Sequence, residues 1–324
     1  MQAGLTKTTA DHVLSPDEIS RSFLEAAIGN TPLIPLRSVT SGLHEGVEVY
    51  AKAEHLNPGG SVKDRAALAM IREAEKSGDL TKDRALLDAT SGNTGIAIAM
   101  IAAARGYRVM LTLPKNASDA RKKILKRYGA EIIETDPMSG TDGAQKIAKE
   151  LAHQYPNKYF YLDQYNNPAN RQAHFETTAP EIWRQTNARV THFVAGLGTT
   201  GTFTGTTQRL KEFNPSLQAV SVQPDSPLHG LEGLKHLPTA IVPGIYDPNL
   251  ADGNLLIATE EAQAMTRRLA REEGLFVGPS SGANVLAAIK VAEELGEKCA
   301  VIITILSDGG GKYLNEEFWS ELPG

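Results

Sequence analysis

The sequence is short of cysteine, of long apolar runs and of excess positive charge, and each shortage closes off a class of protein. Cys299 is the one cysteine in 324 residues. An internal disulfide framework is therefore excluded, and a reducing compartment, the cytoplasm by default, is expected. The apolar setting Cys299-Ala300-Val301-Ile302-Ile303 suggests a small buried strand residue rather than a nucleophile. No apolar run reaches the roughly 20 residues that a membrane helix needs, and residues 1–14 lack the apolar core of a secretory signal. The net charge is -5, which gives no reason to expect nucleic acid or an anionic membrane as partner. The eight histidines never stand at ligand spacing beside a cysteine, so no metal centre is expected.

What is there is a regular alternation of apolar strand-like runs with helical stretches, in a chain long enough for two lobes around a cleft. Strands are expected at 47–53, 85–89, 108–113, 132–134, 159–162, 192–195, 217–222 and 300–306. Helices are expected at 64–77, 95–105, 118–128, 143–155, 201–213, 260–273 and 282–297. Residues 14–23 have a helical look, with Ser15 as cap and Glu18 three residues later. The pattern predicts an α/β fold of mostly parallel sheets covered by helices, with ligands at the carboxyl ends of strands. It breaks down over 224–254, where prolines and glycines accumulate, as in a lid or substrate loop.

Three glycine-rich segments fall where strands meet helices. In Gly59-Gly60-Ser61-Val62-Lys63-Asp64-Arg65 a lysine opens a helix. The positive end of the helix dipole, with partial burial, lowers the pKa of such an amine and suits a nucleophile that forms a Schiff base; a surface lysine beside Asp64 is the plain alternative. Thr90-Ser91-Gly92-Asn93-Thr94-Gly95 offers small hydroxyl and amide groups with backbone N–H at a helix N-terminus, a carboxylate site. A capped turn would need fewer such residues. Gly196-Leu197-Gly198-Thr199-Thr200-Gly201-Thr202 lets the backbone approach a phosphate. It also matches the dinucleotide fingerprint, with Asp225 as the ribose acid, so an NAD-dependent dehydrogenase competes on this segment alone. Taken together, a lysine nucleophile, a carboxylate loop and a phosphate cup are the grips a pyridoxal phosphate enzyme needs on aldehyde carbon, amino acid and phosphate.

At this point the sequence resembles the cysteine synthase and cystathionine β-synthase family, the fold-type II pyridoxal phosphate enzymes. The likeness runs from Ile28-Gly29-Asn30-Thr31-Pro32-Leu33 to Lys312-Tyr313-Leu314, through the three loops, Gln164 with Asn167-Pro168-Ala169-Asn170, and Gly278-Pro279-Ser280-Ser281-Gly282. Leu306-Ser307-Asp308-Gly309-Gly310 departs from the commonest cysteine synthases and looks closer to the B-type enzymes. The resemblance implies a two-domain fold like the tryptophan synthase β-subunit, with 57–168 as the smaller, mobile, substrate-binding domain. Residues 1–56 and 169–324 would form the larger cofactor-binding domain. It implies that Lys63 carries pyridoxal 5'-phosphate and moves the substrate's Cα proton, and that Asn93 meets the cofactor's ring oxygen. Gly198, Thr199, Thr200, Gly201 and Thr202 would bind the phosphate, and Ser280, Ser281 or Ser307 would face the pyridine nitrogen. Thr90, Ser91, Gly92, Thr94, Gln164 and Gly244 would hold the substrate.

The implied reaction replaces the β-substituent of O-acetyl-L-serine or O-phospho-L-serine by sulfide through an α-aminoacrylate, giving L-cysteine. Cystathionine β-synthase chemistry, with serine and homocysteine, is the alternative within the family. Lys235 and His236 are the only positive charge in the loop where phosphoserine users often carry an arginine, which leaves the leaving group open. A homodimer, and serine acetyltransferase as a partner, are implied by the resemblance alone.

Overall fold

The structure is a computed structural model that describes residues 23–320 except Ser91 and Glu297. Apart from Phe23, the helix expected over 14–23 lies outside the described residues. The chain forms ten strands and nine α-helical segments among the described residues. The strands are β1 (Leu33–Pro35), β2 (Val47–Lys52), β3 (Ala85–Ala89), β4 (Val109–Pro114), β5 (Glu131–Thr135), β6 (Tyr159–Tyr161), β7 (His192–Gly196), β8 (Gln218–Pro224), β9 (Gly253–Ile257) and β10 (Ala300–Ile305). They build a six-stranded sheet in the order β1-β2-β10-β7-β8-β9 and a four-stranded sheet in the order β5-β4-β3-β6. Every pairing is parallel except that of β1 with β2.

Parallel strands covered on both faces carry near-continuous apolar runs, and β10 (Ala-Val-Ile-Ile-Thr-Ile) and β3 (Ala-Leu-Leu-Asp-Ala) are buried along their whole length. Alternation sorts the β10 side chains between two cores. Ala300 and Ile302 join one, with Val194 and Val222; Val301, Ile303 and Ile305 join the other, with Phe193 and Phe203.

The helices are α1 (Lys63–Ser77), α2 (Asn93–Arg105), α3 (Asp119–Arg127), α4 (Gly140–Gln154), α5 (Pro168–Ala173), α6 (Ala179–Gln185), α7 (Gly201–Phe213), α8 (Thr259–Glu272) and α9 (Pro279–Leu295). In α2 everything from Thr94 to Ala102 is buried, which explains its almost unbroken apolar sequence. It ends on Gly106 in the left-handed region at φ 70°. Each of the loops that follow β3, β7 and β10 leaves the carboxyl end of a parallel strand, where α/β sheets place ligands.

Several features depart from the expectation. Strands β1 and β9 and the run α5, π-turn (His174–Thr178), α6 were not anticipated. That run carries Pro180 and a stretch of Thr and aromatic residues, which masks its helical period, while Asn167 caps it and Pro168 takes its first position. Helix α9 begins at Pro279 rather than 282, because Pro is preorganised for a first helical turn. Ser118 precedes α3 but makes no capping hydrogen bond. Cys299 is exposed and lies one residue before β10, so it is not the buried strand residue the composition suggested. Residues 225–247 hold no helix or strand. No described helix is long and apolar enough to cross a membrane.

Candidate active site

The glycine-rich loops converge on a cavity of about 610 Å³. Lys63, Thr90, Asn93, Thr94, Gln164, Gly198, Thr199, Thr200, Thr202, Ser280 and Ser307 all line it. Gly92, Gly201, Gly244 and Ser281 do not, and Ser91 lies outside the described residues.

Lys63 is the first residue of α1 and its backbone N–H donates to Ser61 Oγ at 3.3 Å. Burial pushes its ammonium pKa down; the charges of Asp308, Asp64 and Glu54 pull it up, and that of Lys312 pushes it down further. The net direction favours the neutral amine. Two residues on, Arg65 anchors this turn. Its guanidinium meets Glu54 Oε1 at 2.8 Å and Glu181 Oε2 at 2.7 Å, and Lys52 Nζ joins Glu181 at 2.6 Å. Burial by itself would raise the Glu54 carboxyl, but Arg65, Thr31 and Lys52 hold it down at about 2.

In the second loop, Thr90 Oγ1 accepts from the N–H of Gly92 at 2.9 Å and of Gly95 at 3.1 Å, capping α2 from inside. Thr94 Oγ1 donates to Gln164 Oε1 at 2.6 Å, so these two side chains, 70 positions apart, form one polar wall. Gly92 has φ 151°, and a Cβ there would lie 2.2 Å from Arg121 Cδ. The missing side chain there makes room for a buried arginine. Gly244 donates its N–H to Asn166 Oδ1 at 3.0 Å.

The third loop is a cup. Gly198 stands where a Cβ would meet Gly233 O at 2.0 Å, and Gly201 where one would meet Asn170 Oδ1 at 2.1 Å. Thr200 adopts φ 68° at the N-cap of α7, and its hydroxyl is buried with no partner among the described residues. A strained residue holding an orphan donor at the N-terminus of a 13-residue helix is suited to an anion. Thr202 Oγ1 lies 3.3 Å from His174 Nε2. Burial, then the Arg65 charge, push His174 down to about 3, so that ring is neutral.

Among the serines the geometry discriminates. Ser281 Oγ accepts from the Ser307 N–H at 2.9 Å and is fully buried, whereas Ser280 and Ser307 reach the cavity. Ser280 and Ser281 both fall within the first turn of α9 because that helix starts early. Asn284 donates to Ile305 O at 2.9 Å and to Ser307 Oγ at 3.3 Å, while its Oδ1 is unpartnered.

Sequence reasoning missed several residues. Asp308 accepts from Asn93 Nδ2 at 2.7 Å and from the Tyr313 hydroxyl at 2.8 Å. Lys312 Nζ donates to Asn93 Oδ1 at 2.8 Å and to Gly60 O at 3.0 Å. Both belong to the stretch 306–314 that carried the end of the resemblance, the only signal available for them. On the far wall, Lys235 pairs with Asp142 of α4 and sits 4.9 Å from the Tyr165 ring centre. Arg121 of α3 pairs with Glu232. Thus the irregular 225–247 loop is tied across the cavity mouth by two ion pairs of opposite polarity. Asp225, the ribose acid of the dinucleotide reading, is exposed and does not line the cavity.

A lysine amine whose pKa burial lowers, a polar wall and an anion cup around one cavity fit a phosphate-bearing aldehyde cofactor: the orphan Thr200 hydroxyl and the glycines of the cup match its phosphate. The pattern that defines the pyridoxal-phosphate dependent enzymes matches residues 24–308, and the chain belongs to that family. Cysteine synthase of Aquifex aeolicus is 50% identical over 310 residues, 94% of each chain. Cysteine synthase B of Escherichia coli is 45% identical over 300 residues, 93% of this chain and 97% of its own. The crystal structure of an O-acetylserine dependent cystathionine β-synthase from Helicobacter pylori is 36% identical. It matches with a TM-score of 0.86 over 91% of this chain and 98% of its own.

Proposed function

We propose that this enzyme makes L-cysteine by replacing the β-substituent of O-acetyl-L-serine or O-phospho-L-serine with sulfide. The observation that carries the reading is the convergence of Lys63, the Thr94–Gln164 wall and the Thr200 cup on one cavity. Pyridoxal phosphate, when bound, supplies an electrophilic carbon for amines and a sink for electrons at the substrate's Cα. Lys63 would hold the cofactor's aldehyde carbon and, once released as a free amine, would take the Cα proton and return it. Thr90, Thr94 and Gln164 orient the amino acid through its carboxylate, with Ser91 as a further contact. Gly198, Thr199, Thr200 and Thr202 would hold the phosphate, and Ser280 and Ser307 would face the pyridine ring. The loop tied by Lys235–Asp142 and Arg121–Glu232 shields the reacting carbon from water. In this reading the 57–168 segment is the domain that closes, and the enzyme works as a cytoplasmic homodimer that can engage serine acetyltransferase.

Homocysteine is the second acceptor to test, because of the likeness to the Helicobacter pylori enzyme. Titrating the purified holoenzyme with O-acetylserine, O-phosphoserine and serine, then sulfide or homocysteine, while following the cofactor's visible band, decides both partners. A red shift with one ester, reversed by sulfide, is the expected result. A response to serine alone, reversed by homocysteine, overturns the cysteine assignment.

A further inference from the structure

The Asn93 amide is held from both ends by charges. Its Oδ1 receives Lys312 Nζ at 2.8 Å, and its Nδ2 donates to Asp308 Oδ2 at 2.7 Å. An ammonium can only donate and a carboxylate can only accept, so the two ends of the amide are chemically addressed. A reversed amide would set its NH2 against the ammonium and its carbonyl against the carboxylate. The holders are fixed in turn. Lys312 also donates to Gly60 O at 3.0 Å and Gly59 O at 3.3 Å, in the loop that precedes Lys63. Asp308 is completely buried, takes the Tyr313 hydroxyl at 2.8 Å, and leaves its Oδ1 without a partner.

We propose that Lys312 and Asp308 are positioning residues that lock the Asn93 amide in one of its two flips, so that its second N–H points at the cofactor's ring oxygen. The inference rests on the pyridoxal phosphate reading of the site. It explains a lysine and an aspartate gathered beside the nucleophile that the reaction itself does not use. One N–H of Asn93 is committed to Asp308 and the other is left for the ligand side of the cavity that Asn93 lines. A donor fixed there keeps the ring oxygen deprotonated, the form that absorbs in the visible.

The test uses purified holoenzyme and three readouts: the ratio of visible to near-ultraviolet absorbance of bound cofactor, its dissociation constant by dialysis, and circular dichroism for folding. Lys312→Met and Asp308→Asn should each shift absorbance from the visible into the near-ultraviolet and weaken cofactor binding by roughly tenfold, the worth of one charge-assisted hydrogen bond. Lys312→Arg should restore the wild-type ratio. In an Asn93→Ala background neither change should add anything, since the amide they act through is gone. The competing explanation is direct electrostatics on Lys63, where Asp308 raises and Lys312 lowers the amine's basicity. That role moves the spectrum in opposite directions in the two variants, whereas the amide lock moves it in the same direction. Opposite shifts, shifts that persist without Asn93, or no shift in either folded variant overturn the proposal. If Lys312→Met does not fold, Asp308→Asn with and without Asn93 carries the same comparison. A wild-type protein that takes up no pyridoxal phosphate defeats the cofactor reading instead, a distinct outcome.

Discussion

Two clusters of buried polar groups flank the first turn of α1, and they are built on opposite principles. On one side Lys52, Glu54, Arg65 and Glu181 form a closed set with two cations and two anions, and none of their buried atoms lacks a partner. On the other side, around Lys63, Asp64 Oδ1, Asp308 Oδ1, Thr200 Oγ1 and Asn284 Oδ1 are all buried and unpartnered. An unsatisfied buried polar group costs about 1–3 kcal/mol, and two of these, Thr200 Oγ1 and Asn284 Oδ1, belong to residues that line the cavity, where a ligand can satisfy them. The difference separates the framework from the site within one helical turn. It also shows why the charged pair Glu54–Arg65, despite its depressed carboxyl, is structural: nothing is left over to bind.

The comparison can be broken most severely at the nucleophile. Lys63→Ala should cut turnover by about 10³-fold or more while leaving a cooperative thermal transition; near-normal activity in a folded variant would refute the assignment. Next in size, Glu181→Gln removes an anion from between Lys52 and Arg65 and should cost about 3–5 kcal/mol in urea unfolding. A cost below about 1 kcal/mol would mean that the network is not the closed frame described.

The two clusters should also titrate with opposite slopes. The Glu54 carboxyl falls from 4.5 to about 2 in the folded chain, because Arg65, Thr31 and Lys52 overcome burial. Its stabilisation is present above pH 4.5 and is lost as pH falls toward 2. Burial raises the Asp64 carboxyl from 3.8 to about 7. The folded chain then keeps a proton that the unfolded chain releases, so stability declines as pH climbs from about 4 to about 7. Unfolding free energies across this range should show a decline on the order of 4 kcal/mol that Asp64→Asn flattens without touching the acid limb. A decline that persists in the variant assigns it to another group.

The smallest effect expected is at the cup. Thr200→Val removes an unpartnered hydroxyl, so the apoprotein should unfold at the same temperature or slightly higher, while cofactor affinity falls about tenfold, near 1.4 kcal/mol. Lower apoprotein stability with unchanged affinity would make Thr200 part of the framework.

Much of the architecture was legible because local patterns coincide with tertiary ones. The apolar runs of β3, β7 and β10 and the helix α7 fell within a residue or so of their expected bounds, since strands buried on both faces and glycine-punctuated helices leave unambiguous signals. The short strand β1, the half-exposed β9 and the π-interrupted helix pair around Pro180 carry weak or contradictory local signals. Their existence depends on the sheet edge and core they pack against. Cys299 was misjudged for a related reason: an apolar run says that a strand is near, not on which residue it starts.

The candidate site divides along the same line. The amino-acid order alone determined which residue types were available: a lysine opening a helix, hydroxyls and glycines at two strand-to-helix turns, and a serine pair behind Gly278-Pro279. The positive φ of Thr200 is not among them, since a β-branched residue rarely adopts it and its identity gives no sign of it. Only the tertiary structure decided that Ser280 faces the cavity while Ser281 accepts from the Ser307 N–H, that Gly92 makes room for Arg121 and Gly244 meets Asn166, and that Lys312 and Asp308 grip Asn93 from more than 200 positions away. Hydrogen bonds between side chains so distant in sequence leave no periodicity or spacing to read. Their partners are chosen by which strand ends the parallel sheets bring together.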